Sequence, residues 1–152
     1  MLSLSRNIFF YKVLLLPDKY ETRINLIFFH FSIMMIVTKM KGEKFDQVSY
    51  DNLFISLENN LRELGFGDVA VNTKMKYLNK TLYDILLKLK LTKKEKKIFD
   101  INQEVVIKYF PDLKKPKNDT YLMFKNYLQN FFKFCFEVPP KNMIRDVIKF
   151  KN

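Results

Sequence analysis

Apolar residues recur along this chain at the i, i+3/i+4 spacing of helices, and no segment shows a convincing strand alternation. The clearest stripe is Leu53, Phe54, Leu57, Leu61 and Leu64, with Asp51, Glu58, Asn59 and Arg62 facing elsewhere. Gly65 suits a left-handed C-cap, and Phe66-Gly67-Asp68 reads as a tight connector. A second stripe follows from about Asn72: Met75, Leu78, Leu82, Ile85, Leu86 and Leu89, with Lys74, Lys76, Lys80, Lys88 and Lys90 largely off it. So short a connection predicts an antiparallel helical hairpin. Packing accounts least for Arg62, Glu63 and Asp68. Asp68 is expected to cap the second helix, whereas Arg62 either pairs with a neighbouring carboxylate or contacts a partner.

Five further helices complete the pattern. One spans roughly residues 5–16 and stops at Pro17, which disfavours helical geometry in Leu16. The next is expected to be capped by Thr22 and to run to about Met40, ending at Gly42. Ile24, Ile27, Phe28, Phe31, Met34 and Met35 make it apolar nearly all round, the mark of an element surrounded by others. Its longest apolar stretch, Leu26 to Val37, contains His30 and Ser32 and falls short of the ~20 residues that span a bilayer. Thr92 is expected to cap a helix that begins in the charge run 93–97, uses Ile98, Ile101, Val105 and Tyr109, and ends before Pro111. Residues 112–119 read as a mobile loop. A helix from Thr120 follows, and Pro139-Pro140 opens a last short one with Met143, Ile144, Val147 and Phe150. The expectation is all-α: one compact bundle of six or seven helices over residues 1–152, with the 22–41 helix at its centre.

The helix from Thr120 holds more large apolar residues than one buried stripe can use. Tyr121, Phe124, Leu128, Phe131, Phe132 and Cys135 fill the core-facing period. Leu122, Met123, Tyr127, Phe134 and Phe136 then point elsewhere. Either these residues, Met123 and Phe134 foremost, form a client surface, or the first and last helices cover them.

Charge adds a neighbourhood rather than an activity. The net charge is +11, almost all of it lysine spread along the chain. Arg6, Arg23, Arg62 and Arg145 alone offer a guanidinium fork, and no nucleic-acid-binding signature is present. This argues against sequence-specific nucleic-acid binding and is compatible with no more than loose attraction to anionic surfaces. Cys135 is the single cysteine, so no intrachain disulfide forms, which fits a reducing compartment. Residues 8–16 mimic a signal-peptide core, but Tyr11 and Lys12 interrupt it and Pro17-Asp18-Lys19 replaces a cleavage site.

Catalytic patterns are missing: no phosphate loop, HExxH, CxxC or nucleophile elbow, and no carboxylate pair placed for acid–base work. The only histidine, His30, lies mid-helix on an apolar face. A hydrogen-bonded core histidine is the default there, and a haem axial ligand the alternative. The expectation is a protein without catalytic residues, metal or cofactor.

The run from Leu53 to Val71 resembles the signature of the ubiquinol–cytochrome c chaperone family, in which an amphipathic helix ends in an LREhGhGD segment before a basic helix. Lys74-Met75-Lys76 matches that basic entry. Upstream, Phe10-Tyr11, Pro17-Asp18, Arg23 and the Leu26/His30 pair fall in the family's order. Asn72 stands where members often have Pro, Asp84 where Gly is usual, and Thr22 where Gly is common. The resemblance implies a helical, cofactor-free assembly factor that binds newly made cytochrome b for respiratory complex III. Some members also work at the ribosomal exit with a small partner protein. From packing and charge, Arg62, Glu63, Asp68, Lys74, Lys76 and Lys80 are the candidate partner contacts, and a basic helical domain without catalytic groups suits holding an apolar client beside an anionic membrane or ribosome. The front of the chain lacks a transit-peptide pattern, so the bacterial cytoplasm is expected, with the mitochondrial matrix as the alternative. A basic ribosome- or RNA-associated protein is the competing reading.

Overall fold

The computed structural model describes residues 2–89, 101–114 and 119–150. Among these there is no strand. The α-helices are α1 (Leu2–Ser5), α2 (Ile8–Lys12), α3 (Tyr20–Met40), α4 (Gln47–Glu63), α5 (Asp68–Lys88), α6 (Gln103–Tyr109), α7 (Thr120–Glu137) and α8 (Met143–Asp146). Short 3₁₀ turns at Pro111–Lys114, Pro140–Asn142 and Val147–Lys149 adjoin α6, α7 and α8.

The central helix is α3. Its 21 residues would be long and apolar enough to cross a membrane, but 13 of them are buried among the other helices. Phe28, Phe29, Leu26, Ile33, Met34 and Val37 are fully enclosed. It packs against α1, α5 and α7, and the buried side chains from Leu4 to Val147 form one cluster. Beside α3, α4 runs antiparallel: Phe28 stacks on Phe54 at 6.2 Å and Phe31 meets Tyr50 at 6.2 Å.

Two helix ends follow directly from glycine. At Gly65 (φ +87°) and Gly42 (φ +76°) the left-handed backbone lets the next residue turn back. Phe66 N–H donates to the Leu61 carbonyl and Gly65 N–H to that of Arg62, with the same pair of bonds from Glu43 to Thr38 and Gly42 to Lys39. These bonds satisfy carbonyls that a helix C-terminus otherwise leaves bare. The predicted hairpin forms, and Tyr50 Oη donates to Asn79 Oδ1 at 3.0 Å across it.

Several expectations need correction. The predicted first helix is divided in two, because Asn7 accepts from Phe9 N–H to start a new helix and Leu15 takes a left-handed φ of 55°. Thr22 does not cap α3. That helix begins at Tyr20 after an extended Lys19, and Thr22 is buried inside it. The start is fixed by Arg23, whose fork grips Asp18 with bonds of 2.7 and 2.8 Å. α5 begins at Asp68 rather than Asn72, so its buried stripe starts one turn earlier, at Val71. Leu64 is the C-cap of α4 and is exposed, having left the helical rotation that would have turned it inward. Residues 112–114 belong to a 3₁₀ turn anchored by buried Leu113, not to a loop. Ile101, expected inside the helix that ends before Pro111, precedes it, because Asn102 accepts from Glu104 N–H and starts α6 at Gln103. The Thr92 cap, the 93–97 charge run, Ile98 and positions 115–118 of the predicted loop lie outside the described residues.

Candidate functional site

His30 lies fully buried between α3 and α7. Its Nδ1 is 2.6 Å from the Leu26 carbonyl oxygen and its Nε2 is 2.9 Å from Tyr127 Oη. A carbonyl only accepts, so Nδ1 carries the proton and Nε2 accepts from the tyrosine hydroxyl. Phe10 and Phe131 pack edge-on against the ring. Burial depresses its pKa to about 4, against the opposing effect of the Leu26 bond. Both nitrogens are engaged, which makes His30 the hydrogen-bonded core histidine the sequence favoured.

Tyr127 was expected to face away from the core, and it does not. It is 1% exposed, stacked on Phe9 at 5.4 Å and edge-on to Phe10 and Phe150. Phe134 is half-buried against Phe150. The first and last segments thus cover the middle of the surplus apolar face of α7. Leu122 and Met123 at one end and Phe136 at the other stay exposed, with Asn126, Asn130 and Lys133 among the residues between. Lys41 crosses to the end of α7. Its ammonium donates to the carbonyls of Cys135 and Val138 and lies 5.4 Å from the Phe136 ring. A cation placed there satisfies the bare carbonyls of a helix C-terminus.

The signature residues gather at the tip of the α4–α5 hairpin. Arg62 donates to Glu58 Oε1 at 2.9 Å and also pairs with Asp68. Asp68 is therefore not the N-cap of α5, which is Gly67. It is the first helical residue, where a carboxylate also favours the helix dipole. Glu63 is exposed. Lys74 lies over the Phe66 ring at 4.5 Å, a cation–π contact closing the turn.

The outward face of α5 holds residues the sequence reading passed over. Val69, Lys76, Lys80, Tyr83 and Leu87 follow steps of seven, four, three and four residues, so they share one side of the helix. All are exposed, Val69 at 83% and Leu87 at 72%, with Tyr77 beside them. The signal was legible: it needed only the question of which apolar residues share the lysine side of the helix. Asp84, noted in the sequence only as a departure, anchors α6 to α5. Its carboxylate takes Lys88, Lys108 and the Tyr109 hydroxyl, each at 2.7 Å. The bond to Lys108 leads in holding its pKa well below the usual carboxylate range.

A half-open groove of about 630 Å³ runs between α3 and α4. Ile24, Ile27 and Phe31 form its α3 wall, and Leu53 and Leu57 its α4 wall. Ser49, Asn52, Ser56 and Asn60 edge it with polar groups. Arg6, Tyr20 and Arg23 stand at one end and Ile144 at the other. Among the described residues no group of three or more His, Cys, Asp or Glu is placed to hold a metal ion.

A sequence model of the family described as Ubiquinol-cytochrome C chaperone matches residues 12–103, more than half of the chain. The match takes in α3, the hairpin and the start of α6. No curated protein and no solved structure matches the chain.

Proposed function

The chain belongs to the ubiquinol-cytochrome C chaperone family, and from that membership we propose that it is a non-enzymatic assembly factor which holds newly made cytochrome b. The family's work is the assembly of respiratory complex III. The observation that carries the finer reading is the outward face of α5, where Val69 and Leu87 bracket Lys76 and Lys80. Exposed aliphatic residues with no partner helix among the described residues suit an apolar client segment. Lysines between them suit an anionic setting, such as a membrane surface or the ribosomal exit. On this reading Arg62, Glu63, Asp68 and Lys74 border the contact at the hairpin tip, and Met123, with its exposed neighbour Leu122, belongs to a second, lesser face, while Phe134 is covered by Phe150. The protein acts beside a membrane, in a bacterial cytoplasm or, alternatively, a mitochondrial matrix, with a small partner protein joining it. A protein whose ligand is only ribosomal phosphate would have lysines here without large apolar neighbours.

The test is co-purification of the tagged full-length protein from its own membrane fraction. Cytochrome b is expected in the eluate, and Val69→Ser/Leu87→Ser is expected to lose it at unchanged thermal stability. Recovery of ribosomal RNA without cytochrome b, or capture indifferent to the double variant, would overturn the reading.

A further inference from the structure

The groove between α3 and α4 is long and has an aliphatic lining. Its α4 side extends from Ser49 to Asn60, about 16 Å at 1.5 Å per residue. The floor is apolar, since Ile24, Ile27, Phe31 and Leu57 are all at most 5% exposed. A volume in this range is that of a small-ligand site rather than a packing defect.

One end of the groove is polar and positive. Arg23 is committed to Asp18, but Arg6 is exposed and makes no ion pair among the described residues. It reaches Asp18 and Tyr11 only as a background charge. Tyr20, one turn before Arg23, supplies the second observation: its hydroxyl is buried and has no hydrogen-bond partner among the described residues. Burial raises its pKa, so it stays a proton donor at neutral pH. A buried donor left without an acceptor calls for an explanation, and an anionic oxygen beside Arg6 supplies one.

We propose that the groove binds a single-chain fatty carboxylate, its acyl chain lying between α3 and α4 and its head group at Arg6 and Tyr20. Ile24, Ile27 and Leu57 take the chain, and the serine and asparagine edge stays in water. This site is separate from the outward face of α5, so it stands or falls independently of cytochrome b capture.

The experiment titrates delipidated full-length protein with laurate below its micellar concentration, read by calorimetry and native mass spectrometry. Dodecyltrimethylammonium and phosphatidylglycerol vesicles are the comparison probes. Saturable one-to-one binding of laurate with a rise in Tm is expected, and no comparable binding of the cationic amphiphile. Arg6→Gln is expected to weaken laurate about tenfold, the effect of losing one charge-assisted hydrogen bond. Lys76→Gln, the same change of net charge away from the groove, is expected to leave it within about twofold, as a screened distant charge does. Ser56→Phe, which projects a ring from the rim into the groove, is expected to abolish binding without lowering Tm. Three results would each overturn the proposal: no saturable laurate binding, equal weakening by Arg6→Gln and Lys76→Gln, or binding of vesicles alone.

Discussion

His30 and Tyr127, 97 positions apart, share a 2.9 Å hydrogen bond inside the core, and that bond fixes how α7 lies on α3. The Leu26 carbonyl holds the proton on Nδ1, so Nε2 must accept and the tyrosine must donate. Two polar groups that would each be costly to bury alone satisfy one another.

This pair predicts a pH dependence. The folded histidine titrates at about 4, against 6.5 for the free side chain. Above pH 6.5 the ring is neutral in both states, and its contribution is complete. As pH falls towards 4 the unfolded chain takes up a proton that the folded chain refuses, so stability drops through that window. The loss should approach about 3 kcal/mol, at roughly 1.4 kcal/mol per pH unit. Urea unfolding at pH 7, 5.5 and 4.5 measures it. His30→Leu/Tyr127→Phe, which removes both partners together, should flatten the slope by that amount; an unchanged slope would show that His30 is not the titrating group.

Asp84 predicts the behaviour of a half-exposed network. Asp84→Ala should cost about 1–2 kcal/mol, because each lysine pair is partly solvated and worth less than about 1 kcal/mol. The Tyr109 hydroxyl adds a charged acceptor's bond. Its carboxylate pKa is lowered, so this stability is present above about pH 4 and is lost as pH falls through the depressed value. Thermal melts in low salt and at about 1 M salt should show the cost shrinking with screening. A salt-independent loss would assign the effect to packing of α6 instead.

Met123 and Phe134 should now part company. Met123 is 45% exposed, so Met123→Ser should change stability by no more than about 0.5 kcal/mol. Phe134 packs on Phe150 at 5.4 Å, and Phe134→Ser should cost about 1.5–3 kcal/mol, the burial energy of much of a ring. Denaturant midpoints distinguish them. Equal, small effects would mean the last segment does not cover α7.

Binding to anionic vesicles or ribosomes should weaken steeply between about 50 and 200 mM salt. Lys74→Gln/Lys76→Gln/Lys80→Gln should flatten that dependence and leave the melting temperature nearly unchanged, since all three side chains are exposed. Vesicle sedimentation across a salt series is the measurement. An unaltered slope would move the attraction to another lysine face.

Sequence alone determined the hairpin and the long helices α3, α4, α5 and α7, to within about a turn at their starts, because these rest on local chemistry. The period of Leu57 and Leu61, the glycines at 42 and 65, the start at Thr120 and the central burial of α3 were all readable from residues close in the chain. Even the 69–87 stripe was there to be seen. What periodicity could not give was which of two apolar faces a neighbour would cover. Tyr127 looked like surplus until Phe9, Phe10 and Phe150, from opposite ends of the chain, closed over it. Asp84 looked like a local departure until α6 brought Lys108 and Tyr109 to it. The groove, with Arg6 and Tyr20 at its end, exists only because α1 and α4 flank α3 without filling the space between. Helix formation is a property of neighbours within four residues, whereas burial, pairing and empty volume depend on contacts between segments whose meeting no local spacing encodes.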